Sequence, residues 1–290
     1  VKLIVMKGLP ASGKSTLAQA IIENSGNTVR VNRDLLRTML HFDKWTPKNE
    51  ELTIRAATAL VRSLTGYANI IVDDTNLDPR TIDRWKGLAK EFDYVFEVRD
   101  LTNVSSTECV ARDSLRAYLG QRSVGKSVIR NMALRYGFDK FEPDSVVICD
   151  LDGTLCDIEH RLHYVKGPVK QWRNFFEALE RDSVRADVRT RLDEFALNGK
   201  TIILMSGRPD RYASATRDWL HRHGIHDYWT LIMRRDGDHR PDDVVKAELL
   251  EKHFRDLSVI HEVIDDRPSV IRMWRGKGLK VHDVGAGVEF

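Results

Sequence analysis

Gly8-Leu9-Pro10-Ala11-Ser12-Gly13-Lys14-Ser15 follows the apolar run Leu3 to Met6 and precedes a helical pattern. This is the G-x-x-x-x-G-K-[ST] spacing in the strand-to-helix context that gives it meaning. Gly8, Ser12 and Gly13 would aim backbone N–H groups at phosphates, at the positive end of a helix that begins with Lys14, Ser15 and Thr16. Lys14 would reach a transferring phosphoryl group and Ser15 would hold Mg²⁺, so the expected ligands are ATP and magnesium. Asp34 follows a second β-rich run, Thr28 to Val31, and should project from its carboxyl end, where it can accept a proton from an attacking hydroxyl. Capping the following helix is its competing role. Asp73-Asp74-Thr75-Asn76 ends another strand in the same way and would line an acceptor pocket or help hold the water of the metal. Arg112 and Arg116, four apart and so on one helix face, could close over donor phosphates.

A second set begins at Asp150-Leu151-Asp152-Gly153-Thr154, after the apolar run Val146-Val147-Ile148. Carboxylates two residues apart at a strand end converge, so one can attack phosphorus while the other protonates the leaving oxygen. Their mutual repulsion, and their repulsion of a phosphate, calls for a divalent cation, for which Mg²⁺ suits the oxygen ligands. Ser206-Gly207-Arg208 offers a hydroxyl and a guanidinium to the phosphate. Asp242-Asp243-Val244-Val245-Lys246 places a lysine on the next helix, and Asp265-Asp266 ends a further strand with a metal-binding pair.

The elements that must position these groups alternate between β-rich runs and longer helical patterns, which predicts α/β architecture with parallel sheets. Strands are expected at Leu3 to Met6, Thr28 to Val31, Ile70 to Val72 and Tyr94 to Val98. Helices are expected near 14 to 24, 48 to 65, 79 to 92, 103 to 118 and 126 to 136. The stretch from Gly137 to Asp144 breaks both periodicities around Pro143. The series then restarts with strands at Val146 to Cys149, Thr201 to Met205, Leu231 to Met233, Val259 to Ile264 and Lys280 to Val284. Helices fall near 185 to 198, 210 to 222, 241 to 254 and 268 to 275. Two tandem domains follow, 1–143 and 144–290.

The 290 residues contain no apolar run long enough for a membrane span, so no membrane partner is expected and the cytoplasm is the expected location. Three cysteines, Cys109, Cys149 and Cys156, without zinc-type spacing, suit a reducing compartment. The net charge of +3 divides unevenly, +5 in the first 143 residues and −2 in the rest, and in the first part Arg112, Arg116, Arg122, Lys126, Arg130 and Arg135 face only one acid, Asp113. Such a run can neutralise phosphates of an anionic polymer, and a solvated helix face is the plain alternative. His221, His223 and His226 read as a solvated helix end rather than a metal site. His160 and His163 follow the Asp150 loop closely enough to touch a substrate. Trp45, Trp85, Trp219 and Trp274 could stack on bases but have the spacing of core residues.

The order D-x-D-G-T, Ser, Lys, D-D resembles the haloacid dehalogenase-like phosphatases. That resemblance implies Asp150 as nucleophile, Asp152 as general acid-base, Ser206 and Lys246 as phosphate anchors, and Asp150, Asp152, Asp265 and Asp266 around the metal, with Asp266 the favoured direct ligand. The stretch from Leu155 to Thr201 leaves room for a small cap only, and an open cleft suits a polymer end. Both halves together resemble the bacteriophage polynucleotide kinase-phosphatases, on G-L-P-A-S-G-K-S-T, V-N-R-D followed by Arg37, D-D-T-N-L, the Arg112/Arg116 pair, D-L-D-G-T, S-G-R-P, D-D-V-V-K-A-E and I-D-D-R-P-S-V-I-R-M-W. Between 156 and 180, E-H-R-L-H and Q-W-R are closer to free-standing phosphatases. The resemblance implies a P-loop 5′-kinase sheet followed by a haloacid dehalogenase-like 3′-phosphatase sheet. Lys14, Ser15, Asp34, Arg37, Arg112 and Arg116 would serve the kinase, with Asp34 as base. It further implies RNA or DNA ends as substrate, a downstream nucleic-acid ligase and a homo-oligomer. Two other readings stay open: a small-molecule kinase fused to a metabolite phosphatase, and a binding module for nucleic-acid ends.

Overall fold

The computed structural model describes residues 1–44 and 46–287, so Trp45 lies outside the described residues. The chain divides into two compact units, 1–138 and 139–290, at a point inside the stretch that breaks the sequence periodicity. In the first unit, β1 (Lys2–Lys7), β2 (Thr28–Val31), β3 (Asn69–Val72) and β4 (Val95–Asp100) form a parallel sheet in the order β2-β3-β1-β4. The chain moves to one side of β1 for β2 and β3 and to the other for β4, so a ligand crevice is expected at the carboxyl end of β1. The glycine loop occupies that end and runs into α1 (Lys14–Asn24). Gly13 sits at φ +100°, a backbone conformation that glycine adopts without a Cβ penalty.

Helices α2 (Arg33–His41), α3 (Pro47–Leu64), α4 (Pro79–Glu91), α5 (Ser106–Tyr118) and α6 (Lys126–Tyr136) complete this unit. Helix α2 enters the sequence expectation only as the helix that Asp34 would cap, with no range given. Among its apolar residues Leu36 is buried, while Leu35, Met39 and Leu40 are exposed, so it carries no broad apolar stripe. Its start is fixed locally, because the Asn32 side chain accepts the Leu35 N–H.

The second unit repeats the principle with β5 (Val146–Cys149), β8 (Thr201–Pro209), β9 (Thr230–Arg234), β10 (Ile260–Asp265) and β11 (Val281–Asp283). They form an all-parallel sheet in the order β11-β10-β5-β8-β9, again with the topological reversal at the first strand. Strand β5 is buried throughout, as a central parallel strand covered on both faces should be. The covering helices are α9 (Ala186–Leu197), α10 (Ala213–Arg222), α11 (Asp242–His253) and α12 (Pro268–Gly276). Between β5 and β8 lie a two-residue pairing of β6 (Cys156–Asp157) with β7 (Ser183–Val184) and two short helices, α7 (His163–Lys166) and α8 (Trp172–Glu177). This segment is a small cover, built on Phe175, Phe176 and Leu179 packed into the core. Among the described residues, no helix is long and apolar enough to cross a membrane.

Candidate active sites

In the first unit, the loop is clasped by the end of β3. Gly8 N–H donates to the Thr75 carbonyl at 3.0 Å and Asn76 Nδ2 donates to the Met6 carbonyl at 2.8 Å. Lys14 Nζ folds back onto the Leu9 carbonyl at 2.5 Å and Ser12 Oγ at 3.4 Å. Burial pushes the Lys14 ammonium down to about 8, against the opposing pull of Asp73. Arg112 leans over the loop, donating from Nη1 to the Ser12 carbonyl at 3.2 Å, while Glu108 holds its other arm at 2.5 Å. Arg116, half-buried, is close enough to lower the Lys14 proton affinity. Ser15 is exposed at the start of α1 and accepts from Arg30 at 3.4 Å, and Arg30 pairs with Asp73 at 2.6 Å. One oxygen of Asp73, Oδ1, is buried without a partner, which is the kind of orphan a hydrated cation would satisfy.

Asp34 opens α2 with its side chain 58% exposed and bonded to Arg37 at 2.6 Å. Arg37 is held in turn by Glu50 at 2.7 Å. The cap of that helix is Asn32, so Asp34 is left available for chemistry. Asp74 and Asn76 are placed otherwise than expected. Asp74 is buried and spent on the Arg33 backbone N–H at 2.9 Å and its guanidinium at 2.7 Å, while Asn76 braces the glycine loop at φ +44°. Both side chains are buried, and Asn76 Oδ1 has no hydrogen-bond partner. Asp113, the lone acid of the basic run, accepts the Val124 and Gly125 N–H groups and ties down the turn before α6.

In the second unit, Asp150, Asp265 and Asp266 each offer a carboxylate oxygen within 4.8 Å of the others. Lys246 reaches into this cluster from α11, 2.9 Å from Asp150 and 2.8 Å from Asp265. Burial would strip its proton, but Asp150, Asp265 and Asp242 outweigh burial and hold it charged. Burial, only partly offset by Lys246, pushes the Asp150 carboxyl well up, and burial with the Asp265 charge lifts Asp266 to about 6. Asp265 is fixed by Lys246 and by the Trp274 indole N–H at 3.1 Å, whereas Asp266 receives one neutral bond, from Thr154 at 2.8 Å. A concentration of negative charge made of hard oxygen donors fits a divalent cation such as Mg²⁺. Gly153 is required here: it sits at φ +85°, and a Cβ would lie 2.2 Å from Asp266 Oδ2.

Asp152 points away from the cluster. Arg161 and Arg208 both clamp its carboxylate, Arg208 at 2.5 Å, and both guanidiniums are fully buried. Asp182, also fully buried, completes the group by accepting from Arg161 at 2.5 Å and Arg208 at 3.2 Å. Burial works against charge on Asp152, yet the two arginines prevail and hold its carboxyl far below the ordinary range. The Asp152 carboxylate thus lies outside the Asp150-Asp265-Asp266 group, and Arg208 is paired with Asp152 and Asp182. Ser206 is buried, its Oγ accepting the Arg208 N–H at 3.2 Å. Gly207 lies where a Cβ would stand 2.1 Å from Asp242 Oδ1, so its backbone lets α11 approach the cleft.

A family model for the polynucleotide kinase PNKP phosphatase domain matches residues 144–288, half of the sequence. The chain belongs to this family. An AAA domain model matches residues 3–138. The chain is 28% identical, over 94% of its length, to 41% of a protein of Autographa californica nuclear polyhedrosis virus with the provisional name bifunctional polynucleotide kinase/RNA ligase. It is 29% identical, over 41% of its length, to a quarter of the bifunctional polynucleotide phosphatase/kinase of Schizosaccharomyces pombe. The chain thus spans about two fifths or less of the curated relatives it matches. A chain in the solved structure of the Pnkp1/Rnl/Hen1 RNA repair complex is 28% identical, with 99% of this chain and 97% of that one covered and a TM-score of 0.44.

Around Asp152, the partners that sequence reasoning did not assign are Arg161 and Asp182. Arg161 lies in the H-R-L-H stretch that stands out after the D-x-D loop, but Asp182 has no motif around it. His160 donates from Nε2 to Asp182 Oδ1, 2.9 Å away, and His163 packs on Tyr164, so neither is aimed at the Asp150 cluster. Trp85, Trp219 and Trp274 are buried in the core.

Proposed function

We propose that the chain heals broken nucleic-acid ends, phosphorylating 5′-hydroxyls with ATP through residues 1–143 and removing 3′-phosphates through residues 144–290. The observation that carries this is the coexistence of two complete phosphate sites, a clasped P-loop with an exposed aspartate beside it and an Asp150-Lys246-Asp265-Asp266 cluster, in a chain of this family. RNA is the substrate we favour over DNA, on the naming of the viral relative.

In the kinase half, Asp34 takes the proton of the 5′-hydroxyl as its oxygen attacks the γ-phosphorus, while the P-loop N–H groups, Lys14, Arg112 and Arg116 hold the charge that develops on the phosphoryl oxygens. Arg37 keeps the Asp34 carboxylate oriented. Ser15 and Asp73 are the residues that would hold magnesium there.

In the phosphatase half, an Asp150 oxygen attacks the 3′-phosphate, forming an aspartyl-phosphate as the bond to the nucleoside oxygen breaks. Lys246 and Ser206 position the phosphate. Asp152 then takes a proton from the water that opens the acyl phosphate. The clamp by Arg161 and Arg208 lowers the proton affinity of Asp152, so both proton transfers, to the leaving oxygen and from the water, require Asp152 to let go of at least one guanidinium. Asp150, Asp265 and Asp266 would hold Mg²⁺, which supplies charge neutralisation between the acids and the phosphate.

Separation of function tests the reading. Lys14→Ala should abolish 5′-phosphorylation and spare 3′-phosphate release, and Asp150→Asn should do the reverse. Loss of both activities from either folded variant would contradict two independent sites.

A further inference from the structure

The cleft that contains Asp150 and Asp152 is a cavity of about 520 Å³, within the range that encloses a nucleotide-sized ligand. One wall is aromatic and comes from the small cover. Phe175 and Phe176 are buried there, but Trp172 is 39% exposed. The indole stacks against Phe176 with centroids 6.0 Å apart and planes 21° from parallel, and meets Phe175 edge-on at 5.9 Å. The ring is thus supported from behind while the rest of it faces the cavity. The buried tryptophans, by contrast, are filled in on all sides.

Cations on the opposite wall are largely neutralised, Arg211 by Asp236 at 3.2 Å and Arg240 by Asp238 at 2.6 Å. Lys170 differs. It is exposed, has no carboxylate partner among the described residues, and holds its ammonium 5.6 Å from the Trp172 ring. A flexible cation without a carboxylate partner, resting over an aromatic ring supported from behind, in the cavity of a phosphate-cleaving site, matches a base that displaces it to stack on the ring and a backbone phosphate that it then meets.

We infer that Trp172 and Lys170 form the nucleotide subsite of the second unit, the base of the 3′-terminal region stacking on Trp172 while the adjoining backbone phosphate meets Lys170. A cavity of about 520 Å³ takes one nucleotide rather than a base pair, so the substrate class is an unpaired 3′-phosphorylated end. The inference rests on the 3′-phosphatase reading and narrows it.

The test is steady-state phosphate release by the full chain with Mg²⁺ from a single-stranded 3′-phosphorylated oligonucleotide, the same strand in a blunt duplex, and glycerol 2-phosphate as a base-free ester. The wild type should favour the single strand over the duplex. For Trp172→Ala, the ratio of kcat/KM for single strand to that for glycerol 2-phosphate should fall about tenfold, mainly through KM, the scale on which base–aromatic stacking acts. Trp172→Phe should restore most of it, and Lys170→Ala should reduce the salt dependence of KM for the strand. Equal losses on strand and ester, or no loss, overturn the inference while leaving the 3′-phosphatase reading intact. If the wild type hydrolyses the ester but no oligonucleotide, that reading fails and takes the inference with it. A second readout is quenching of tryptophan emission when the strand is titrated into Asp150→Asn. The quench should be absent when Trp172→Phe is added, and its persistence in the double variant would contradict stacking at this position.

Discussion

Replacing Asp182 by alanine should destabilise the second unit more than any loss of surface charge could. Its carboxylate is fully buried and accepts from Arg161 at 2.6 and 2.5 Å, from Arg208 at 3.2 Å, and is bonded to His160 at 2.9 Å. Without it two fully buried guanidiniums face one remaining carboxylate, Asp152. Removing one partner of such a pair costs about 3–5 kcal/mol, because a buried charge is left uncompensated. For a unit of this size each kcal/mol shifts the midpoint by about 2–4 °C, so the thermal transition of the second unit should fall by roughly 6–20 °C. Calorimetry of the full chain reads this, with P-loop nucleotide binding as a control on the first unit. Asp182→Asn, which keeps an acceptor oxygen, should lose less. Adding Arg161→Met to Asp182→Ala should recover at least about 1 kcal/mol, since deleting both partners removes the uncompensated charge. A midpoint for Asp182→Ala within about 2 °C of wild type, or no recovery in the double variant, would refute the placement of this charge cluster.

Two pH effects follow from the sites themselves. Burial holds Lys14 at about 8, so at pH 8 roughly half the free protein carries a neutral amine, and ATP binding should take up about half a proton there and almost none below pH 7. Titration calorimetry in buffers of different ionisation enthalpy measures the uptake, and its absence at pH 8 would contradict the buried amine. Asp266, raised to about 6, keeps a proton in the metal-free fold that its unfolded form has lost, so its contribution to stability declines as pH rises from about 4 through 6. A cation must displace that proton, so the thermal stabilisation by Mg²⁺ should be clearly larger at pH 7 than at pH 5. Equal stabilisation at the two pH values would remove Asp266 from the cation site.

Legibility in the sequence tracks how local each feature is. The P-loop and D-x-D-G-T each lie in one contiguous stretch between a strand and a helix, so backbone geometry and residue type are read together. The central strands β1, β3, β5 and β8 show as apolar runs because they are largely buried. The range of helix α2 escapes because its apolar residues are largely exposed and its boundary rests on one Asn32 cap. The direction of a side chain is a different kind of information. Arg208 stands next to Ser206 in a stretch that suggests phosphate binding, yet its guanidinium is drawn to Asp152 and Asp182, which the chain brings in from elsewhere. Asp74 and Asn76 likewise look like pocket residues at a strand end, but Asp74 is drawn to Arg33 at the start of α2 and Asn76 to the Met6 carbonyl before the glycine loop. The Arg161–Asp182 pair spans the small cover, where short elements leave no periodicity to read.

The measurement that tests the central claim most directly uses one oligonucleotide with a 5′-hydroxyl and a 3′-phosphate, in RNA and DNA forms, incubated with the chain, γ-labelled ATP and Mg²⁺, with both ends resolved. Two phosphate sites acting on nucleic-acid ends predict label at the 5′ end and loss of the 3′-phosphate in the same reaction, faster on RNA. An untouched oligonucleotide, with ATP and a small phosphomonoester consumed, would contradict end healing and leave a kinase joined to a phosphatase of small molecules.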